Sequence, residues 1–143
     1  YEAGQPFAVD HPLGAALMVR GDTLAQVGSF DERYFMYCEE IDLCRRIRKA
    51  GWEISCVPTA EVVHLVGQST RQFRDTMFVA LWRSRFRMFD TYESAAFRWG
   101  ARRLVRLGLW AEARRARAAH RRGEMDADQL AERLAAFREV ASL

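Results

Sequence analysis

No uncharged apolar run in this sequence approaches the ~18 residues a membrane-spanning helix needs. The opening residues, "YEAGQPFAVD", also lack a basic start followed by an apolar core. Neither a transmembrane helix nor a signal peptide is expected. Cysteine is scarce: Cys38, Cys44 and Cys56 form no C-x-x-C pair and no spacing that reads as a zinc site. They read instead as small buried hydrophobes in a reducing compartment, which points to a cytoplasmic location. Methionine is missing from position 1, and the first residues carry no cap or strand signal, as expected of a piece of a longer protein.

What is present suits a folded domain. The 143 residues are 50% hydrophobic and 29% charged, an ordinary globular composition. A chain of this length buries roughly 68–70% of its unfolded surface. The net charge of +3 hides an asymmetry: residues 1–70 carry 6 basic and 10 acidic side chains (net −4), and residues 71–143 carry 16 and 9 (net +7). Two regions, 1–70 and 71–143, are therefore expected to have different physical roles.

In the first region "GAALMVR" (14–20) reads as a strand buried on both faces. Thr23–Val27 reads as a helical turn started by an Asp22 cap and stopped by Gly28. After Asp31 and Glu32 comes a helix ending at Lys49 and Gly51, then "WEISCVP" and "AEVVHLVG" as extended runs closed by Pro58 and Gly67. Strand, helix, strand predicts an α/β unit. The second region reads as helical throughout. Phe73, Met77, Leu81 and Phe89 recur at helical spacing, an Ala/Arg-rich helix runs from Ser94 to Arg122 and breaks at Gly123, and a last helix starts at Asp126 with Gln129 as a capping box. Leu130, Leu134, Phe137 and Ala141 form its stripe.

The densest chemistry lies in "FDERYFMYCEEIDLCRRIRKAGW" (30–52). At ~100° per residue, Glu40 falls in the middle of an apolar stripe of Leu43, Cys44 and Ile47. Glu39 lies on its margin. Asp42 falls on the charged side with Arg45, Arg46 and Lys49, where it reads as a solvated acid paired with arginines. A carboxylate facing a core is costly unless something binds it or it lines a cavity. Glu40 is thus either a buried capping acid or a functional one.

Residues 13–70 resemble the C-terminal half of the catalytic domain of family 2 glycosyltransferases, particularly the bacterial rhamnosyltransferase-like members. The match runs through the Gly14 apolar run, "GSFDE", "FMY", the pair Glu39–Glu40, "DLCRR", "AGW", "VP" and the late His64. The resemblance implies a GT-A fold (α/β) followed by a helical C-terminal region. It also implies an inverting transfer from a nucleotide-diphosphate sugar to a saccharide or lipid-linked acceptor hydroxyl, assisted by a divalent metal, Mg or Mn. By the same resemblance Glu40 is the general base with Glu39 beside it, Gly14, Asp31, Asp42 and Arg46 lie on the acceptor side or support it, and His64 approaches the metal or the diphosphate. Without the family, His64 reads equally as a structural histidine ending a strand.

The sequence departs from the family pattern in places. Glu stands at position 40 where the family more often has Asp, Ser29 replaces a usual Gly, and "QSTRQ" (68–72) only faintly echoes a Q-x-x-R-W motif. The family's metal-binding Asp-x-Asp would precede this segment, and none occurs in residues 1–30; Asp126-x-Asp128 reads as a cap. The donor-binding half and most metal ligands are therefore expected outside this chain, which alone should be inactive.

Residues 98–122 hold nine arginines against one acid, Glu112, among Trp99, Leu104, Val105, Leu107, Leu109 and Trp110. That pattern fits a helix lying on an anionic membrane surface, or an arginine face in solvent over a packed helix. Nucleic-acid binding is disfavoured, because no recognition motif accompanies the charge. A non-catalytic basic helical module for a membrane surface or nucleic acid is the alternative to an enzyme. Sheet edges left by a half-domain could pair two copies into a homodimer.

Overall fold

In the computed structural model the described residues are 4–65 and 74–143. They fall into two compact units, one up to Gln68 and one from Ser69. "QSTRQ", Phe73 and Gly67 lie outside the described residues.

The first unit contains β1 (Phe7–Ala8), α1 (Gly21–Val27), α2 (Glu39–Lys49) and β2 (Ser55–Cys56). The strands form a two-stranded antiparallel sheet, Phe7 opposite Cys56 and Ala8 opposite Ser55. This is far less sheet than the expected α/β unit. The run 14–20 is not a strand; it starts in a turn closed by Ala16 N–H to Leu13 O, and Met18 is 98% exposed. "WEISCVP" contributes only two strand residues, and no strand occurs in 57–65. Apolar composition alone does not make a strand: a ladder satisfies its backbone groups only against a neighbour, and these runs have none among the described residues.

Helix α1 begins two residues earlier than expected. Arg20, not Asp22, is its N-cap, and Asp22 sits in the first turn. Helix α2 follows its pattern: Leu43, Cys44 and Ile47 are buried, as the stripe predicts. It ends in a Schellman motif, with Gly51 N–H to Arg48 O and Trp52 N–H to Ile47 O. Gly51, at φ 88°, supplies the left-handed residue this motif requires. No disulfide joins the three cysteines; Cys38 and Cys44 are buried and Cys56 is half-buried.

The second unit is helical, as expected. It comprises α3 (Arg74–Tyr92), α4 (Ala95–Arg121) and α5 (Ala127–Ser142). Ser94 caps α4 by accepting from Phe97 N–H. Asp126 and Gln129 form the anticipated capping box, so Asp126-x-Asp128 is a helix start and not a metal motif. The core gathers Val79 and Phe86 of α3, Leu109 of α4, and Ala136, Phe137 and Val140 of α5. Aromatic edges extend it: Phe78 meets Phe137 at 5.7 Å and Phe89 meets Phe97 at 5.2 Å between centroids. In α3 the buried line runs through Val79 and Phe86, with Met77 and Leu81 only half-buried. Of the expected α5 stripe only Phe137 is buried, with Leu130, Leu134 and Ala141 half-buried; Ala136 and Val140, outside it, are buried too. Among the described residues no helix is long and apolar enough to cross a membrane.

Candidate active site

The acidic cluster is built at the N-terminus of α2. The two preceding residues, Tyr37 and Cys38, have φ of 69° and 67°. Left-handed backbone costs a non-glycine residue roughly 1–2 kcal/mol, and such residues tend to gather where surroundings over-determine the geometry. Cys38 is the N-cap yet makes no side-chain cap. The helix start is instead lined by Glu39, Glu40 and Asp42, whose negative charge suits its positive dipole end.

These three acids have different surroundings. Asp42 is only 4% exposed, which corrects the expectation of a solvated acid. Its Oδ2 accepts from Arg46 Nε at 2.9 Å. The same guanidinium donates to Val27 O at 2.6 Å, Gly28 O at 3.3 Å and Ser29 O at 2.8 Å. The loop leaving α1 thus covers the face that a helical wheel assigns to solvent. Asp42 and Arg46 together fasten that loop to α2, a structural role for two residues of the family pattern.

Glu39 is half-buried, and its Oε2 is shielded from solvent without a hydrogen-bond partner among the described residues. Glu40 is half-buried too, and no hydrogen bond or ion pair engages its carboxylate among the described residues. Its stem lies against the backbone of Gly14: a Cβ at position 14 would stand 3.3 Å from both Cβ and Cγ of Glu40. One turn along, Cys44 is fully buried, and burial first, the Glu40 charge second, push its thiol above the ordinary 9.0.

Of the other expected residues, Asp31 and His64 remain. Asp31 is engaged by Arg33, whose Nε donates to Oδ1 at 2.9 Å and Nη2 to Oδ2 at 2.6 Å, while the Arg33 backbone N–H also reaches Oδ1 at 3.0 Å. The Asp31 hydrogen bonds, and then its charge, hold the Arg33 guanidinium above its ordinary value. His64 is exposed in an irregular segment. Among the described residues no three His, Cys, Asp or Glu side chains come together as a metal would require. A divalent cation takes several oxygen ligands, so the residues present do not fit the implied metal, and no step of the chemistry is routed through one. An open groove of about 520 Å³ runs beside Asp10, Arg48, Trp52 and Glu53, and Glu40 does not line it.

Comparison with known proteins supplies the chemical context. No protein-family model matches the chain, and no solved structure does. Over 57 residues, 40% of this chain, it is 54% identical to the N-acetylglucosaminyl-diphospho-decaprenol L-rhamnosyltransferase of Mycobacterium tuberculosis, covering 19% of that protein. Over 79 residues, 55% of this chain, it is 38% identical to rhamnosyltransferase WbbL of Escherichia coli, covering 30% of it. The chain is rhamnosyltransferase-like over part of its length. A 32% identity over 79 residues links it also to the low-salt glycan biosynthesis hexosyltransferase Agl10 of Haloferax volcanii, 26% of which is covered. The chain spans less than a third of the length of these curated relatives.

In this rhamnosyltransferase-like chain, sequence reasoning singled out Glu40 but missed two features. Arg33 was legible as a partner two residues beyond Asp31. The left-handed pair Tyr37–Cys38 was not, because neither residue type favours that backbone.

Proposed function

We propose that this chain is the acceptor-side part of a GT-A glycosyltransferase in which Glu40 is the general base. The observation carrying this reading is the state of Glu40: a half-buried carboxylate at a helix N-terminus, engaged by no cation or donor among the described residues, while Asp31 and Asp42 are held by arginines. An acid held in an ion pair is poorly placed to accept a proton; an unengaged one, partly open to solvent, is well placed.

In the proposed reaction an acceptor hydroxyl oxygen attacks the anomeric carbon of a nucleotide-diphosphate sugar, and its proton passes to the Glu40 carboxylate. The bond from the anomeric carbon to the diphosphate oxygen breaks, its electron pair leaves with the diphosphate, and the anomeric configuration inverts. Glu39 adds negative charge beside the base, and Gly14 leaves room for the Glu40 stem. Donor site and divalent metal belong, in this reading, to parts of the protein beyond this chain. A rhamnosyl or related hexosyl donor and a saccharide or lipid-linked acceptor are the substrates proposed, in cell-surface glycan synthesis at the cytoplasmic side. They rest on the names of the relatives.

The test is Glu40→Gln in the full-length protein, followed with a radiolabelled donor sugar. Loss of the base should lower turnover by roughly 10²- to 10⁴-fold with folding retained. Turnover close to the parent's would remove Glu40 from this role.

A further inference from the structure

Helix α4 packs one side into its unit through Leu109 and Ala116. Roughly opposite, at ~100° per residue, Trp99, Leu104, Leu107 and Trp110 share one face. They are 65%, 71%, 65% and 60% exposed. Leaving four large apolar side chains in water on one helix face is unusual, and such contiguous patches mark interaction sites.

The charges on this face indicate what it meets. Arg103 stacks over the Trp99 ring at 5.0 Å and Arg114 over the Trp110 ring at 4.8 Å. One turn and two turns beyond Arg114, Arg117 and Arg121 continue the same side and are exposed. The lone acid of the helix, Glu112, lies off this face and is paired with Arg115. Along its length the face therefore passes from Trp and Leu, with Arg103 among them, to a row of three arginines, with no acid anywhere on it. Face-to-face self-association of α4 would set arginines against arginines, because the same face of a second copy brings no carboxylate to meet them.

We propose that this outward face of α4 docks onto an anionic lipid bilayer. The helix lies in the plane of the interface, since no helix among the described residues can cross a membrane. Trp99, Leu104, Leu107 and Trp110 enter the headgroup–acyl boundary, where tryptophan rings are favoured. Arg114, Arg117 and Arg121 lie along the phosphates, and Arg103 extends its guanidinium up to them. This docking is independent of the glycosyl-transfer reading and stands or falls without it.

The test is flotation of the whole chain with unilamellar vesicles of phosphatidylcholine alone or with roughly 30% phosphatidylglycerol, alongside Trp99→Ala/Trp110→Ala and Arg114→Ser/Arg117→Ser/Arg121→Ser variants. Because the altered side chains are exposed, both variants should keep the parent circular dichroism. Expected is binding to the anionic vesicles only, weakened at least about tenfold in each variant and by raised salt. Folded chain that ignores anionic vesicles, or binding undiminished in both variants, would overturn the proposal. So would a lipid-free dimer that the tryptophan variant dissolves, or displacement from vesicles by duplex DNA at equal phosphate.

Discussion

The backbone of Gly14 lies against the side chain of Glu40, so closely that a methyl group at position 14 would stand 3.3 Å from both Cβ and Cγ of the carboxylate's stem. The turn that holds Gly14 therefore sets where the Glu40 carboxylate can point. Gly14→Ala can be accommodated only by a shift of a few tenths of an ångström in Glu40, and Gly14→Val demands more. Since ~1 Å of misplacement can cost about 10²-fold in rate, Gly14→Ala should reduce turnover modestly and Gly14→Val by at least about tenfold. Steady-state kinetics on the full-length protein check this, with melting temperature as the control. Equal turnover in all three proteins would mean that the contact does not position a working group.

Asp42 and Arg46 make a second, structural prediction. Removing one member of a buried ion pair strands the other, at about 3–5 kcal/mol when both are fully buried. Here the Arg46 side chain keeps 26% exposure and three carbonyl partners, so Asp42→Ala should destabilise the first unit by less, about 2 kcal/mol. Arg46→Met should do comparable damage by freeing the loop at Val27–Ser29. The double variant should cost less than the sum of the two, and urea denaturation of all three measures the difference.

Cys44 carries a pH prediction. Its thiol is raised above the ordinary 9.0 by burial and then by the Glu40 charge. A raised acid holds its proton more tightly when folded, so below about pH 8 folded and unfolded chains are both protonated and nothing changes. Above the unfolded thiol's pKa only the unfolded chain ionises, and stability falls as pH rises. Denaturation between about pH 8 and 10 should therefore show a decline that Cys44→Ala reduces. Glu40→Gln, which removes the lesser cause, should reduce it less. An identical decline in parent and Cys44→Ala would exclude the thiol as its source.

The helical half of the chain was legible because its signals are local. Asp126 with Gln129, Ser94 before an alanine-rich run, and Gly123 after it act within one or two turns, and the structure uses all of them. The sheet was not legible, because nothing local distinguishes Phe7–Ala8, which finds a partner in Ser55–Cys56, from "GAALMVR", which finds none among the described residues. Glu40 was picked out by periodicity, since its position among Leu43, Cys44 and Ile47 depends only on the helix repeat. The same periodicity misassigned Asp42. A wheel shows which residues share a face, but a loop returning from Val27–Ser29 decides whether that face meets water.

Strain at the start of α2 supplies the last prediction. Tyr37 and Cys38 hold φ near +70° in succession, a backbone that costs an ordinary residue roughly 1–2 kcal/mol and a β-branched one more. Glycine pays no such steric cost, although it gives back about 0.5–1 kcal/mol in chain entropy. At the half-buried Tyr37, Tyr37→Gly should therefore leave stability within about 1 kcal/mol of the parent, whereas Tyr37→Val should lower it clearly below both. If the valine variant melted with the parent, the left-handed turn before Glu39 would not be a fixed feature of the protein. If it melts lower and the glycine variant keeps its stability but loses turnover, the tyrosine side chain or the rigidity it imposes is needed to hold the Glu39–Glu40 end of the helix in working order.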